Sequence, residues 1–329
     1  MKNASTNGSA SGTSKRSAKK SPARKTATVK KPTAPKAVTP SAGSERIHVQ
    51  KTYKIYIGGQ FPRTESGRYY KVHAPDGSFL ADICLSSRKD FRNSVVAARS
   101  AFAGWSSRAA FNRGQILYRI SEILEGRRAQ FIDELIQQGR TKVQATAEVN
   151  LAIERLVHYA GWADKVQQIF SSVNPVASSH FNFSMLEPTG VVAILAPEES
   201  SLVGLISVMA PIITGGNTCV ILASESKPLC AITLAEVLNA SDVPGGVVNI
   251  LTGKRKELSG QFASHMDVNA VVYTGADPEE SKDIQLKAVD NIKRVINHAD
   301  RNWMDAESQS PYYILDALET KTTWHPVGN

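Results

Sequence analysis

Thr189-Gly190-Val191-Val192-Ala193-Ile194-Leu195-Ala196-Pro197-Glu198-Glu199 opens the stretch whose reading decides the fold. A second apolar run, Leu202 to Ile213, stops at Gly215-Gly216 and is followed by Thr218 to Leu222. A helical pattern from Pro228 to Ala240 then leads through Pro244-Gly245-Gly246 into Val247 to Leu251 and Gly253. Short uninterrupted β-branched runs alternating with helix-length apolar segments are what a parallel sheet buried on both faces requires. Residues 189–253 therefore read β-α-β-α-β, with further strands expected at Ala270 to Tyr273 and near Val295. That is a nucleotide-binding architecture by default.

Upstream, Tyr53, Ile55 and Ile57 alternate with polar residues as far as Gly58-Gly59, which predicts a strand closed by a turn. A strand pair is expected from Arg68 to Leu85 around Pro75-Asp76-Gly77. Ser87 offers an N-cap to a helix carrying Phe91, Val95, Ala98 and Phe102 on one face and ended by Gly104. Three more helical patterns follow: Arg113 to Leu124, Ala129 to Gln138 closed by Gly139, and Thr141 to Lys165. The period then returns to two, and a hairpin of Val166 to Val173 against His180 to Leu186 is predicted, with Phe181, Phe183 and Met185 on one face. A lone hairpin is marginal in water, so that face must lie on something else, and a partner subunit is a natural candidate.

The chain has 329 residues, 42% of them hydrophobic, enough for a substantial core with room for two domains. Its formal charge of +9 is local. Of the 39 Lys and Arg, ten lie in residues 1–44, which hold no acid; the other 29 face 30 acidic residues. The tail, made largely of Lys, Ala, Ser, Thr, Pro and Gly, has too little apolar mass to offset the entropy of ordering, so a disordered basic tail is expected. It is either a solvated extension or a salt-sensitive contact for nucleic acid or another polyanion. No run is long enough to span a membrane and no signal-peptide core follows Met1, so an intracellular, cytoplasmic protein is expected. Cys84, Cys219 and Cys230 show no metal-ligand spacing, and the latter two are expected to be buried free thiols.

Several strings are similar to those of the aldehyde dehydrogenase superfamily, in that family's order, over most of residues 50–297. They are Tyr56-Ile57-Gly58-Gly59, the run from Ala97 to Trp105, the run from Tyr159 to Lys165, Glu187-Pro188-Thr189-Gly190-Val191-Val192 and Pro244-Gly245-Gly246-Val247-Val248-Asn249. The details look most like the non-catalytic C-terminal half of the double-length aldehyde dehydrogenases of class sixteen. The resemblance implies an α/β fold: the Rossmann-like parallel sheet of a coenzyme domain, a β-hairpin oligomerisation arm, and no catalytic domain. It divides the chain into the tail (1–44), N-terminal strands and helices of the coenzyme-type domain (45–165), the hairpin (166–186), Rossmann-like βα units (187–297), and a degenerate linker with a C-terminal oligomerisation strand (298–329).

In that family a cysteine thiolate attacks the aldehyde, an Asn amide helps hold the oxyanion, hydride passes to NAD, and a Glu activates water. The resemblance places Glu199 where the Asn should stand, and a carboxylate has no proton to donate to an oxyanion. His298 falls near the position of the Glu base, and no cysteine follows Cys230. Of the Lys-Pro-(Ser/Ala)-Glu that holds the adenosine ribose, Glu225 remains and Leu222 replaces the Lys. The strand-to-helix turn that meets the pyrophosphate is matched by Gly275 and Ala276, followed by Asp277, Glu279 and Glu280, acids that suit a helix dipole but repel phosphate. Glu225 and Gly275 are thus vestigial cofactor positions, and Glu199, Leu222, Ala276, Glu280 and His298 degenerate ones. No catalytic residue and no metal site is assigned. The Lys254-Arg255-Lys256 triplet is expected in an exposed turn, with contact to a polyanion as the alternative.

Thirty-four residues follow Val295, and Leu318 to Pro326 resemble the family's final strand, as though the catalytic domain had been excised and both pieces of the arm kept. The favoured expectation is a pseudoenzyme with no cofactor, or NAD(P) if any. It would dock on a catalytic aldehyde dehydrogenase subunit, or on itself, through the Val166–Leu186 hairpin and the Leu318–Pro326 strand. The alternatives are a residual NAD(P)-dependent aldehyde oxidoreductase and a polyanion-binding protein acting through residues 1–44.

Overall fold

The computed structural model describes residues 49–299 and 301–328, so expectations for the basic tail lie outside the described residues. Tyr53, Tyr56 and Ile57 make only isolated bridges, to Ile83, Ile250 and Gln60, rather than the expected strand. Gly58-Gly59 turns the chain with positive φ at both residues, where a side chain would be strained. It packs against Gly245, whose hydrogen a methyl could not replace: a Cβ there would stand 2.5 Å from the Gly58 carbonyl oxygen.

The strand pair around Pro75-Asp76-Gly77 is present as β1 (Tyr69–His73) and β2 (Phe79–Cys84), antiparallel. Helix α1 (Arg88–Ser106) starts at a capping box in which the Ser87 hydroxyl and the Asp90 carboxylate each accept from the other's backbone N–H. It runs two residues past Gly104, because a glycine inside a helix costs only about 1 kcal/mol against alanine. Then come α2 (Ala110–Gly126), α3 (Arg128–Gln137) and α4 (Lys142–Trp162), the last opened by a second capping box of Thr141 and Gln144.

The expected hairpin is half right. Val166–Phe170 is a short helix, α5, and only Ser172–Asn174 forms the strand β3 that pairs with β4 (His180–Pro188). The missing pairing of β4 comes from the far end of the chain.

The Rossmann-like units follow as β5 (Val191–Leu195), α6 (Val203–Thr214), β6 (Thr218–Leu222), α7 (Leu229–Asn239), β7 (Val248–Leu251), α8 (Arg255–Ser264), β8 (Ala270–Tyr273), α9 (Pro278–Ala288) and β9 (Arg294–Asn297). The five strands form one parallel sheet in the order β7-β6-β5-β8-β9. Alternate side chains serve opposite cores, as period two dictates. Val192, Ile194, Cys219 and Ile221 pack with α2, α4, α6 and α7, whereas Val191, Ala193, Leu195, Val220 and Leu222 pack with Phe91, Leu258, Phe262 and Ile284 of α1, α8 and α9.

Residues 298–317 cross from β9 to the last strand, with a single turn of helix, α10 (Tyr312–Leu315), on the way. Trp303, Ile314 and Ala317 of this strap join the larger core. Arg155 of α4, fully buried, ties it down by donating to the Asp305 carbonyl at 2.8 Å and to the Ser207 hydroxyl of α6. Tyr159 donates to the Ser310 carbonyl at 3.2 Å. The strap ends in β10 (Leu318–Pro326), which pairs with β4 along its whole length to complete a second sheet, β10-β4-β3. Residues 49–329 form one compact unit. Among the described residues no helix is long and apolar enough to cross a membrane.

Candidate functional site

The strand order reverses beside β5: the chain passes through β6 and β7 on one side and returns to β8 and β9 on the other. Helix α6 leaves β5 for one face and α9 leaves β8 for the opposite face, which opens a crevice beyond the carboxyl ends of the strands. Two adjoining cavities of about 970 Å³ and 330 Å³ occupy it, sharing Glu198, Arg255, Asp277 and Glu280.

Glu198, in the turn after β5, reaches across to the turn after β6. Its carboxylate accepts from the Ser224 hydroxyl at 2.8 Å, the Glu225 N–H at 3.0 Å, and the Ser226 N–H and hydroxyl, each at 3.3 Å. Arg255, the first residue of α8, closes the other side, its Nε 3.9 Å from that carboxylate. The expectation of an exposed basic turn is corrected here: only Lys254 and Lys256 are exposed, and the Arg255 guanidinium donates to the Ala196 carbonyl and lies 6.0 Å from the centre of the Tyr273 ring. A helix begins at this arginine, and the carbonyl at the end of β5 draws its guanidinium inward.

The helix starts around the crevice are satisfied from within. Glu148 of α4, nearly inaccessible, accepts from Leu202 N and Val203 N at 3.3 Å and from the Ser200 hydroxyl at 3.2 Å, and it pairs with Arg140 at 3.2 Å. It thus sits on the positive end of α6. Gln138 accepts from Leu229 N at the start of α7 (3.1 Å), and Glu225 from Arg255 N at the start of α8 (3.1 Å). Asp277 caps α9 by accepting from Glu279 N at 2.9 Å, with Pro278 in its first turn.

The residues singled out from the sequence are placed as follows. Glu225 and Gly275 line the crevice, one in each cavity, and the Glu225 carboxylate already accepts from Arg255 N at the start of α8. A Cβ on Gly275 would stand 2.5 Å from the Tyr273 hydroxyl, which lies 3.0 Å from both the Asp277 carbonyl and the Glu280 carboxylate. Burial, and then Glu280, push this phenol up to about 12. Ala276 and Glu280 line the smaller cavity beside it. Glu199 is exposed at the rim and accepts from the Trp303 indole at 3.0 Å, while its carbonyl accepts from Arg140.

Leu222 and His298 do not join them. Leu222 points into the α1–α8 core at the end of β6. His298 is buried between Trp303 and Tyr313, away from both cavities, and burial followed by the Arg301 charge pulls its pKa down to about 4. Its Nε2 lies 4.0 Å from Asp316, but burial pushes that carboxyl up as well, so the imidazole is neutral near pH 7 and no ion pair forms. Glu198 and Arg255, by contrast, were not among the singled-out residues. Nothing in a Glu-Glu pair or a Lys-Arg-Lys run tells which member will turn inward.

A family model for the aldehyde dehydrogenase family matches residues 61–304. The chain belongs to the aldehyde dehydrogenase family. It is 30% identical over 253 residues to the cytosolic 10-formyltetrahydrofolate dehydrogenase of Xenopus laevis, covering 75% of this chain and 28% of that protein. It is also 30% identical over 252 residues to the putative aldehyde dehydrogenase DhaS of Bacillus subtilis, covering 75% of this chain and 50% of that one. The NAD+ complex of a Bacillus cereus aldehyde dehydrogenase superposes with a TM-score of 0.72 at 25% identity, covering 76% of this chain and 51% of that chain. This family member thus spans between about a quarter and a half of the relatives it matches, and the α/β fold with its parallel sheet is theirs.

Proposed function

We propose that this aldehyde dehydrogenase family member is a pseudoenzyme, a non-catalytic scaffold or regulatory subunit that assembles with a catalytic aldehyde dehydrogenase or with its own kind. The observation that carries the reading is the crevice itself. Carboxylates of this chain already occupy the α6, α8 and α9 starts and the turn after β6, the places where backbone N–H groups would meet a pyrophosphate. These residues do not fit an anionic dinucleotide such as NAD(P).

The rest of the chemistry points the same way. A cysteine acting as the nucleophile must be an accessible thiolate. Cys219 and Cys230 are fully buried in β6 and α7, and burial pushes both thiols up. Between β9 and β10 the chain has only residues 298–317, with no cysteine and no cavity-lining histidine. Glu199 presents a carboxylate where the family resemblance puts an oxyanion donor. These departures agree with the resemblance to the non-catalytic half of the class-sixteen enzymes.

The arm supports the assembly half of the proposal. β10 and β3 are the edges of the second sheet, and Val173, Phe181 and Met185 on one face are about half exposed or more. An open edge beside an apolar face invites strand addition. Calorimetry with NAD+, NADH formation from aldehydes, and native mass measurement after co-expression with a catalytic aldehyde dehydrogenase test the proposal together. Absent cofactor binding with a complex formed is the expected result. Turnover, or a monomer that ignores every such enzyme and itself, would overturn it. A second reading, polyanion binding through residues 1–44, is favoured by ten cations with no acid among them.

A further inference from the structure

The turn after β6 is built to hold an anion. Two backbone N–H groups and two hydroxyls of Ser224, Glu225 and Ser226 converge on one point, and a guanidinium stands behind it. Such converging N–H groups form an anion-binding concavity whatever anion they were first made for. The point is filled, and the occupant comes from a different loop: the Glu198 carboxylate, 26 to 28 residues away along the chain. The side chain is 37% exposed, so it enters from the crevice side rather than through the core. Lys71 and Lys256 line the same cavity, and neither makes an ion pair with the described residues.

We propose that Glu198 is a built-in occupant of the Ser224–Ser226 turn, a tethered carboxylate that closes an otherwise competent oxyanion site to phosphoryl ligands. The site is intramolecularly saturated rather than dismantled. Its donors are intact, Lys71, Arg255 and Lys256 stand in the same cavity as Glu225, Asp277, Glu280 and Asp283, and Glu198 is the one carboxylate that fills the turn itself. A tethered group competes at the effective concentration of its short link, which free anions at ordinary concentrations do not match. If the carboxylate is home more than nine-tenths of the time, the apparent affinity for an outside anion falls at least about tenfold, because only the open fraction binds. The proposal goes beyond the pseudoenzyme reading, which can stand without it. Turnover by the native chain would sink that reading, whereas the outcomes below bear on Glu198 alone.

Inorganic phosphate is the probe, in thermal melting and calorimetry of the full chain, with sodium chloride at matched ionic strength as the control. The native protein should show no saturable stabilisation. Glu198→Ala should bind phosphate at least about tenfold more tightly, and adding Ser224→Ala and Ser226→Ala should remove the gain. Glu198→Gln keeps the side-chain volume and one acceptor oxygen without the charge, so it should fall between the two, and it carries the test should the alanine variant fail to fold. A native protein that binds phosphate as well as Glu198→Ala overturns the proposal. So does a variant that gains nothing, or a gain that survives loss of both serine hydroxyls.

Discussion

Lowering the pH should weaken this protein through His298, and the size of the effect separates a buried structural histidine from a working base. Its side chain is 9% exposed, beside Trp303 and Tyr313, and burial pulls its pKa from 6.5 to about 4. The unfolded chain therefore takes up the proton first as the pH falls. The stability contribution is complete above 6.5, declines through the window between 6.5 and 4, and levels off below that. A gap of that size at 1.36 kcal/mol for each pH unit, rounded by titration at both ends, amounts to about 3 kcal/mol by pH 4. Urea unfolding followed by circular dichroism from pH 8 to pH 4 should show that loss in the native protein. In His298→Leu the curve should be flatter by about 3 kcal/mol over the same window.

His158 and His265 are also lowered by burial, but both remain in the variant and cancel in the difference. Asp316, pushed up by burial, works in the opposite sense, its contribution present at low pH and lost as pH rises through its folded value. Asp316, too, remains in the variant. Parallel curves for the two proteins would refute the burial argument and return His298 to the list of titrating, accessible groups.

Trp303→Ala should release the strap, since it removes a core side chain only 3% exposed along with the hydrogen bond to Glu199. A loss of about 3–5 kcal/mol is expected, with new proteolytic cleavage inside residues 298–317, and unchanged melting would contradict the anchoring role. Deleting residues 1–44 should abolish binding to duplex DNA and flatten a salt dependence whose slope approaches about −9 if all ten cations are engaged. Equal binding by the shortened chain would dismiss the tail reading.

Much of the architecture was legible because it is periodic. The β-branched, largely apolar runs at Val191–Leu195 and Thr218–Leu222 predict a doubly covered parallel strand for the same reason that they form one, and the Ser87 and Thr141 caps mark helix starts through local hydrogen bonds. Val166–Phe170 is a helix rather than the strand its period suggests, and the full-length partner of β4 is β10, more than a hundred residues further on. Gln167 on that short helix still reaches β4, bonding Leu186 through its side-chain amide, so the segment belongs to the arm without being a strand.

The crevice divides along the same line. By itself the sequence determined the alternation of strands and helices from Val191 to Asn297, the family, and the places where a carboxylate or an aliphatic side chain stands in a motif, since each is local in the chain. Only the tertiary structure decided that Glu198 rather than Glu199 crosses to the β6 turn, that Arg255 folds inward while Lys254 and Lys256 stay out, and that His298 is sealed behind Trp303. Those choices depend on which backbone N–H groups and carbonyls converge once five strands are laid side by side, and that convergence joins residues too far apart in the chain for any local pattern to record.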